Sequence, residues 1–325
     1  MATWVERQPA GDFTKDWGCV ASDGDGSNLI AAVSLGRLYT SLDGGVIWTE
    51  RTPAGAVNVD WRCVASDDDG SHLIVSAFAG RLYTSENGGV SWEERQPAGD
   101  FDKDWSCVAS NNDGSRLIAG IYGGRIYISI DGGEIWEETQ PRGDVNTFWK
   151  PAGSSDLGSN LIVCGYTYRI WTTVDGGEIW TERTPAGAVD KNWSCVASDS
   201  DGSNLIACIT NGRLYTSVDG GVGWTERQPA GDFDKNWNYV ASDGDGSNLI
   251  ACVSEGRIYI SADGGATWTE ERPAGDVDKN WKNVGSCNTG SNLIAAPFNG
   301  RLYTTSDAPV PPEPAAKHLM MMGIG

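Results

Sequence analysis

The 325-residue chain has two histidines, His72 and His318, and neither has a histidine partner or a cysteine–histidine cluster. That scarcity argues against a zinc site, and no metal is expected. Basic residues are also few. Lys and Arg number 24 against 44 Asp and Glu, leaving a net charge of −20. Such acidity disfavours nonspecific binding to nucleic acid or to an anionic membrane. Long apolar runs are missing, so no stretch approaches a membrane helix. The opening MATWVERQPAGD has no basic segment followed by an apolar one, as a signal peptide would. A secreted chain that had lost its signal would look the same. No phosphate-binding loop or nucleotide fingerprint occurs, and no cofactor is expected. The sequon Asn192-Trp193-Ser194 reads as a chance match.

What the chain has in excess is glycine, with 43 residues, and tryptophan, with 15. Both recur on a fixed period. Trp17, Trp61, Trp105, Trp149, Trp193, Trp237 and Trp281 are spaced by 44 residues without a slip. Arg37, Arg81, Arg125, Arg169, Arg213, Arg257 and Arg301 keep the same interval, as do Tyr39, Tyr83, Tyr127, Trp171, Tyr215, Tyr259 and Tyr303. Seven units result. Each reads as four short strands bounded by Gly, Asp and Pro. In the first, an A strand runs from Trp17 to Ser22, a B strand from Asn28 to Val33 and a C strand from Arg37 to Ser41. A D strand begins near Ile47 and Trp48. Four-strand units at this period predict an all-β, seven-bladed β-propeller.

The two ends complement each other. Trp4 lies one period before Trp48, while Pro312 stands where the last unit would need its D-strand Trp. Residues 3–7 are therefore expected to complete the blade that starts at Trp281, closing the ring and its strand edges. An open solenoid is the rival, and it leaves this complementarity without a cause. The expected domain is residues 1–307, followed by a Pro-rich then Met-rich flexible tail over 308–325.

One segment repeats in six units: Ser41-x-Asp43-Gly44-Gly45-x-x-Trp48 and its copies around Asn87, Asp131, Asp175, Asp219 and Asp263. The carboxylate can accept hydrogen bonds from its own turn, the glycines permit positive φ, and the Trp fills a gap between strands. Asn87 serves because the turn needs an acceptor, not a charge. This segment resembles the Asp-box, or BNR repeat, of sialidase-like propellers. The resemblance covers residues 3–305, and the repeat style is most similar to the photosystem II assembly-factor branch and to uncharacterised repeat proteins. It implies a propeller and, for that branch, protein partners.

Sialidase chemistry would imply an arginine triad, a Tyr nucleophile with a Glu partner and an Asp acid/base on different blades. Here Arg37 and Tyr39 have copies all round, as does Glu50 in Glu94, Glu138, Glu182, Glu226 and Glu270. A single active site needs unlike residues converging on one substrate, so no catalytic residue is assigned. Asp23 with Asp25, Asp67 with Asp69, and Asp243 with Asp245 resemble fragments of calcium loops, but turn formation explains them and the twelve-residue ligand pattern is missing. Seven of the eight cysteines recur at strand positions: Cys19, Cys63, Cys107 and Cys195 on A strands, and Cys164, Cys208 and Cys252 on B strands. They read as small buried thiols, which favours an intracellular setting. One bridge between Cys195 and Cys208 is conceivable.

Each periodic arginine opens a C strand beside the B–C connection and the Trp of an A strand. One reading pairs the arginines with carboxylates or carbonyls between blades, with Asp12, Asp100, Asp144, Asp232 and Asp276 as acceptors. The other makes Arg37, Arg81, Arg125, Arg169, Arg213, Arg257 and Arg301, with Trp17, a ring of pockets for an anion, a sugar or an acidic peptide. The B–C connections vary between units and include Tyr122 and Tyr166. The fourth unit departs most: Pro151-Ala152 replaces Cys-Val, Tyr168 replaces Gly, and Pro141-Arg142-Gly143 replaces Pro-Ala-Gly. Tyr166, Tyr168 and Arg169 are thus candidates for an asymmetric contact zone; relaxed packing between blades explains the same departures. The expected function is a noncatalytic, monomeric propeller that binds a protein or a glycan through its B–C and D–A loop face. A glycoside hydrolase or lyase, and a purely structural scaffold, are the alternatives.

Overall fold

A computed structural model describes residues 3–305. Among them are 28 β-strands and no helix, a number that fits seven four-stranded units. In the first unit Trp17–Ser22, Leu29–Val33, Leu38–Ser41 and Thr49–Arg51 pair antiparallel in that order. The expected N-terminal partner is there as well. Trp4–Arg7 pairs antiparallel with Leu302–Thr305, Trp4 facing Thr305 and Arg7 facing Leu302. The Pro- and Met-rich tail expected over 308–325 lies outside the described residues.

Three strand boundaries differ from the sequence reading. The B strand begins at Leu29, because Asp23 N–H donates to the Asn28 carbonyl at 3.0 Å and keeps Asn28 in the turn. The C strand begins at Leu38, because Val33 N–H donates to the Arg37 carbonyl at 3.0 Å and keeps Arg37 in the turn. The D strand begins at Thr49, because Asp43 Oδ1 takes the N–H groups of Val46 at 3.0 Å and Ile47 at 2.8 Å. Ser41 Oγ in turn donates to Asp43 Oδ1 at 2.8 Å and accepts from Gly45 N–H at 2.9 Å. Gly44 and Gly45 hold φ of 66° and 86°, a region costly for a residue with a Cβ. Trp48 Nε1 closes the loop on the Gly45 carbonyl at 2.8 Å. Asn87 reproduces this arrangement, accepting Ser91 N–H through Oδ1 at 2.8 Å.

The core lies between units. Every residue of Leu29–Val33 is buried, since a B strand is covered on both faces by neighbouring sheets. One apolar cluster joins Ile30, Ala32 and Leu38 to Trp61, Val64 and Val75 of the next unit, and another joins Trp17 and Val20 to Ile294, Ala296 and Leu302. Each A-strand Trp meets the C-strand aromatic of its own unit edge-on, as Trp17 meets Tyr39 at 5.6 Å and Trp149 meets Trp171 at 5.5 Å.

At the far end of the A strands the peptide groups form a circuit. Gly24 N–H donates to the Asp68 carbonyl, Asp68 to Asn112, Asn112 to Asp156, Asp156 to Ser200, Ser200 to Gly244, Gly244 to Asn288, and Asn288 back to Gly24, all between 2.7 and 3.1 Å. The donors sit 44 residues apart, so one local geometry serves every junction. A Cβ at Gly24 would meet the Asp68 carboxylate, which would have to turn away, although five of the seven circuit positions do carry a side chain.

Units three to five depart from this regularity. Leu117–Gly124 and Thr147–Ser154 are lengthened and pair across the unit boundary, Tyr122 facing Phe148. Leu161–Tyr168 pairs likewise with Lys191–Ser198. Four of the other boundaries are joined by single bridges between strands, such as Gly36 with Val59; Lys15 with Gly300 does the same between the last unit and the first.

The turn geometry makes a quantitative expectation. Asp43→Ala leaves two backbone N–H groups and Ser41 without their acceptor and lowers stability by about 1 kcal/mol. Asp43→Asn, which copies Asn87, changes it by less than about 0.5 kcal/mol. Urea denaturation of the two variants checks the difference.

Candidate functional site

The A strands start, and the B–C connections turn, around one concave mouth of about 670 Å³. Its wall is the residue after each A-strand Trp: Gly18, Arg62, Ser106, Lys150, Ser194, Asn238 and Lys282. The polar members among these tie the ring together. Ser106 Oγ donates to the Trp149 carbonyl at 2.9 Å, Ser194 Oγ to Trp237 at 2.8 Å and Asn238 Nδ2 to Trp281 at 2.9 Å. The three cations instead meet rings on the rim. Arg62 lies over Phe78 at 4.6 Å, Lys150 over Tyr166 at 5.4 Å and Lys282 over Phe298 at 5.4 Å. In each pair the aromatic follows the cation by 16 residues.

Two carboxylates also line the mouth, Asp16 and Asp60. Both are engaged: Asp16 Oδ1 accepts Asn299 N–H at 3.0 Å, and Asp60 pairs with Arg62 at 2.6 Å. Burial lowers the Lys150 ammonium below its usual range, and nearby Arg62 pushes the same way. An incoming anion relieves both effects. The floor is made where three units lack the A-strand cysteine and carry Pro151, Tyr239 and Asn283 instead. Tyr239 is a hydrogen-bond partner of Asn283 and has the thiols of Cys63, Cys195 and Cys19 from other units in its neighbourhood. Burial, then these thiols, raises its phenol well above the ordinary value. Below that floor, a smaller cavity of about 120 Å³ is lined by Asp23, Asp67, Asp199, Asp243 and the peptide circuit.

The rim is held in a costly backbone conformation. Leu35, Ala79, Thr167, Asn211, Glu255 and Asn299 take φ between 49° and 61°, and only Gly123 answers the same position with glycine. Such strain persists where the surroundings fix it, here by bonds such as Gly36 N–H to the carbonyls of Val33 and Val59, both at 3.0 Å.

The periodic arginines lie outside the mouth, folded onto the D–A loops. Arg81 contacts Asp100 at 2.9 Å and Asp102 at 2.8 Å; Arg213 contacts Asp232 at 2.8 Å and Asp234 at 2.7 Å. Arg257 contacts Asp276 at 3.0 Å and Asp278 at 2.7 Å, and Arg169 contacts Asp190 at 2.7 Å. Arg125 pairs with Asp144 and Arg301 with Asp12. These loops follow the D strand of the same unit, so the pairs form within units rather than between them. Trp17 is 1% exposed and donates Nε1–H to the Gly300 carbonyl, so its ring is packed in the core and offers no flat face to a ligand.

The odd residues of unit four meet one another. The Arg142 guanidinium stacks on Tyr168 at 4.0 Å, and Tyr166 sits over Lys150. Arg142 is thus the counterpart of Tyr168, which the sequence marks separately. His72, Asp67 and Asp69 approach within reach of a common ion, but their contacts are those of a turn. His72 Nδ1 bonds Asp67 Oδ2 at 2.6 Å, where Asn28 Nδ2 bonds Asp23 Oδ2 at 2.6 Å. All eight cysteines are buried free thiols, and Cys195 faces Cys208 in register.

No protein-family profile matches the sequence, and no curated protein matches it. Solved structures do share its fold. YCF48 bound to D1 peptide superposes with a TM-score of 0.71 at 15% identity, over 94% of this chain and 97% of that one. YCF48 from Cyanidioschyzon merolae gives 0.72 at 18% identity, over 94% and 99%. An ancestral GH74 enzyme gives 0.71 at 15% identity, over 95% of this chain and 47% of that one, so the chain spans about half of it. At such identities the likeness is one of fold, and it is to β-propellers.

The C-strand tyrosines set a pH limit. Burial, with Glu226, Glu270 and Glu6 hydrogen-bonded to their hydroxyls, pushes Tyr215, Tyr259 and Tyr303 up to about 12. An unfolded tyrosine ionises near pH ~10. Since the folded value is raised, this contribution to stability is complete below about pH 10 and is lost as pH climbs towards 12. A phenolate absorbance titration should find these groups ionising late, together with unfolding.

Proposed function

We propose that the chain is a protein-binding assembly propeller that takes an acidic segment of its partner into the mouth bounded by Arg62, Lys150 and Lys282. We further infer that its 28 strands make one seven-bladed ring over residues 1–307, completed by residues 3–7, whose six Ser/Thr-x-Asp/Asn-Gly-Gly loops are Asp-boxes. The reading is carried by one observation: three cation–aromatic pairs surround a single concave opening on a chain of charge −20. The chain as a whole carries excess negative charge, while this opening gathers three cations, which favours entry of an acidic segment there and gives it orientation. The rim rings of Phe78, Tyr122 and Phe298 supply apolar area beside the charges.

The solved likeness supports the same class of function, since one of its members is YCF48 bound to D1 peptide. The GH74 likeness is the ground for a glycosidase alternative, but it covers half of that enzyme, and the two carboxylates of the mouth are already engaged.

Isothermal titration with a flexible peptide rich in Asp and Glu tests the proposal. Binding is expected to weaken about tenfold for each of Arg62→Gln, Lys150→Gln and Lys282→Gln, about 1.4 kcal/mol apiece. It should also fall steeply with added salt. Equal affinity in the triple variant, or preference for a neutral oligosaccharide over the peptide, overturns it.

A further inference from the structure

The seven periodic arginines have nearly identical surroundings, and one of them lacks what the others have. Six contact an aspartate of the adjoining D–A loop: Asp100 with Asp102, Asp144, Asp190, Asp232 with Asp234, Asp276 with Asp278, and Asp12. In the loop beside Arg37 those two positions are Ala56 and Asn58. Arg37 donates only to the carbonyls of Gly55 at 3.2 Å and Ala56 at 3.0 Å. Its nearest described carboxylate is Glu50, 4.0 Å from Nε, and an equivalent Glu stands beside most of the other arginines as well. The side chain is 23% exposed.

We propose that Arg37 is a docking point for a carboxylate supplied by a protein partner. The chain itself describes the bound state. At Arg81, carboxylate oxygens sit 2.8 Å from Nε and 2.9 Å from an η nitrogen, the charge-assisted geometry that an arginine fork favours. The backbone that would carry such a ligand is already built at Arg37, since Gly55 has a φ of 79° against 80° for Gly99. Only the two acidic side chains are missing. The incoming carboxylate occupies the space that the Asp100 and Asp102 carboxylates fill one unit later. The site goes beyond the cationic mouth: it uses none of Arg62, Lys150 or Lys282, so its failure leaves that reading intact.

The test is nuclear magnetic resonance of the arginine Nε–Hε groups in the full chain. The probes are two acetylated glycine peptides. One is amidated and carries a single internal glutamate; the other has a free C-terminal carboxylate and no acidic side chain. A saturable shift of the Arg37 signal, with Arg81 unmoved, is expected from at least one, and the responding peptide identifies a side-chain or a terminal carboxylate as the source. The A56D/N58D variant should lose the shift, because it supplies the carboxylates internally. The reciprocal D100A/D102N variant should gain one at Arg81. The proposal is overturned if neither peptide moves Arg37, if all seven arginines move alike, or if A56D/N58D responds as the parent does.

Discussion

The molecule depends on a circuit of peptide hydrogen bonds in which the last donor, Asn288, returns to the first acceptor, Gly24. Each bond alone contributes about 1 kcal/mol net. Its larger effect is geometric. A circuit of such bonds admits no unit that is longer, shorter or shifted, and the 44-residue period meets that condition at every junction. The pairing of Trp4–Arg7 with Leu302–Thr305 and the cluster joining Trp17 to Ile294 and Leu302 satisfy the same condition farther from the axis. With the A strands held around one axis, the residues that follow their tryptophans must converge on one opening.

Repetition and its interruptions therefore divide the work. Residues that recur from unit to unit serve packing and turns: the A-strand tryptophans, the C-strand aromatics, six of them tyrosines with glutamate partners, and most arginines with their aspartates. Chemistry lies where the pattern breaks. Arg62, Lys150 and Lys282 replace residues that otherwise staple A strands together, and each brings an aromatic to the rim. Tyr239 replaces a small thiol and closes the floor. Ala56 and Asn58 withdraw the carboxylates that neutralise an arginine elsewhere.

The all-β class and the four-strand unit were legible because short apolar strands between fixed turns leave no other element, and the complementary ends foretold the partner of Leu302–Thr305. The acidic box was legible because its hydrogen bonds are local: Asp43 meets its acceptor role within four residues. The mouth was not. Arg62 and Phe78 are 16 residues apart, one on an A strand and the other in a B–C connection, and their meeting depends on register and on which face of the A strand looks inward. Aligning the units and asking which column varies in charge would have found it. Trp17 misled for the opposite reason, since a periodic aromatic beside a loop looks exposed until the neighbouring unit is placed over it.

Hydrogen exchange at the seven amides of the circuit, Gly24, Asp68, Asn112, Asp156, Ser200, Gly244 and Asn288, tests ring closure most directly. A closed ring opens as a whole, so the seven should show similar protection and exchange through one cooperative event. Fast exchange at Asn288 and at the amides of Trp4–Arg7, with the other six of the circuit still protected, would mean that the ends do not meet.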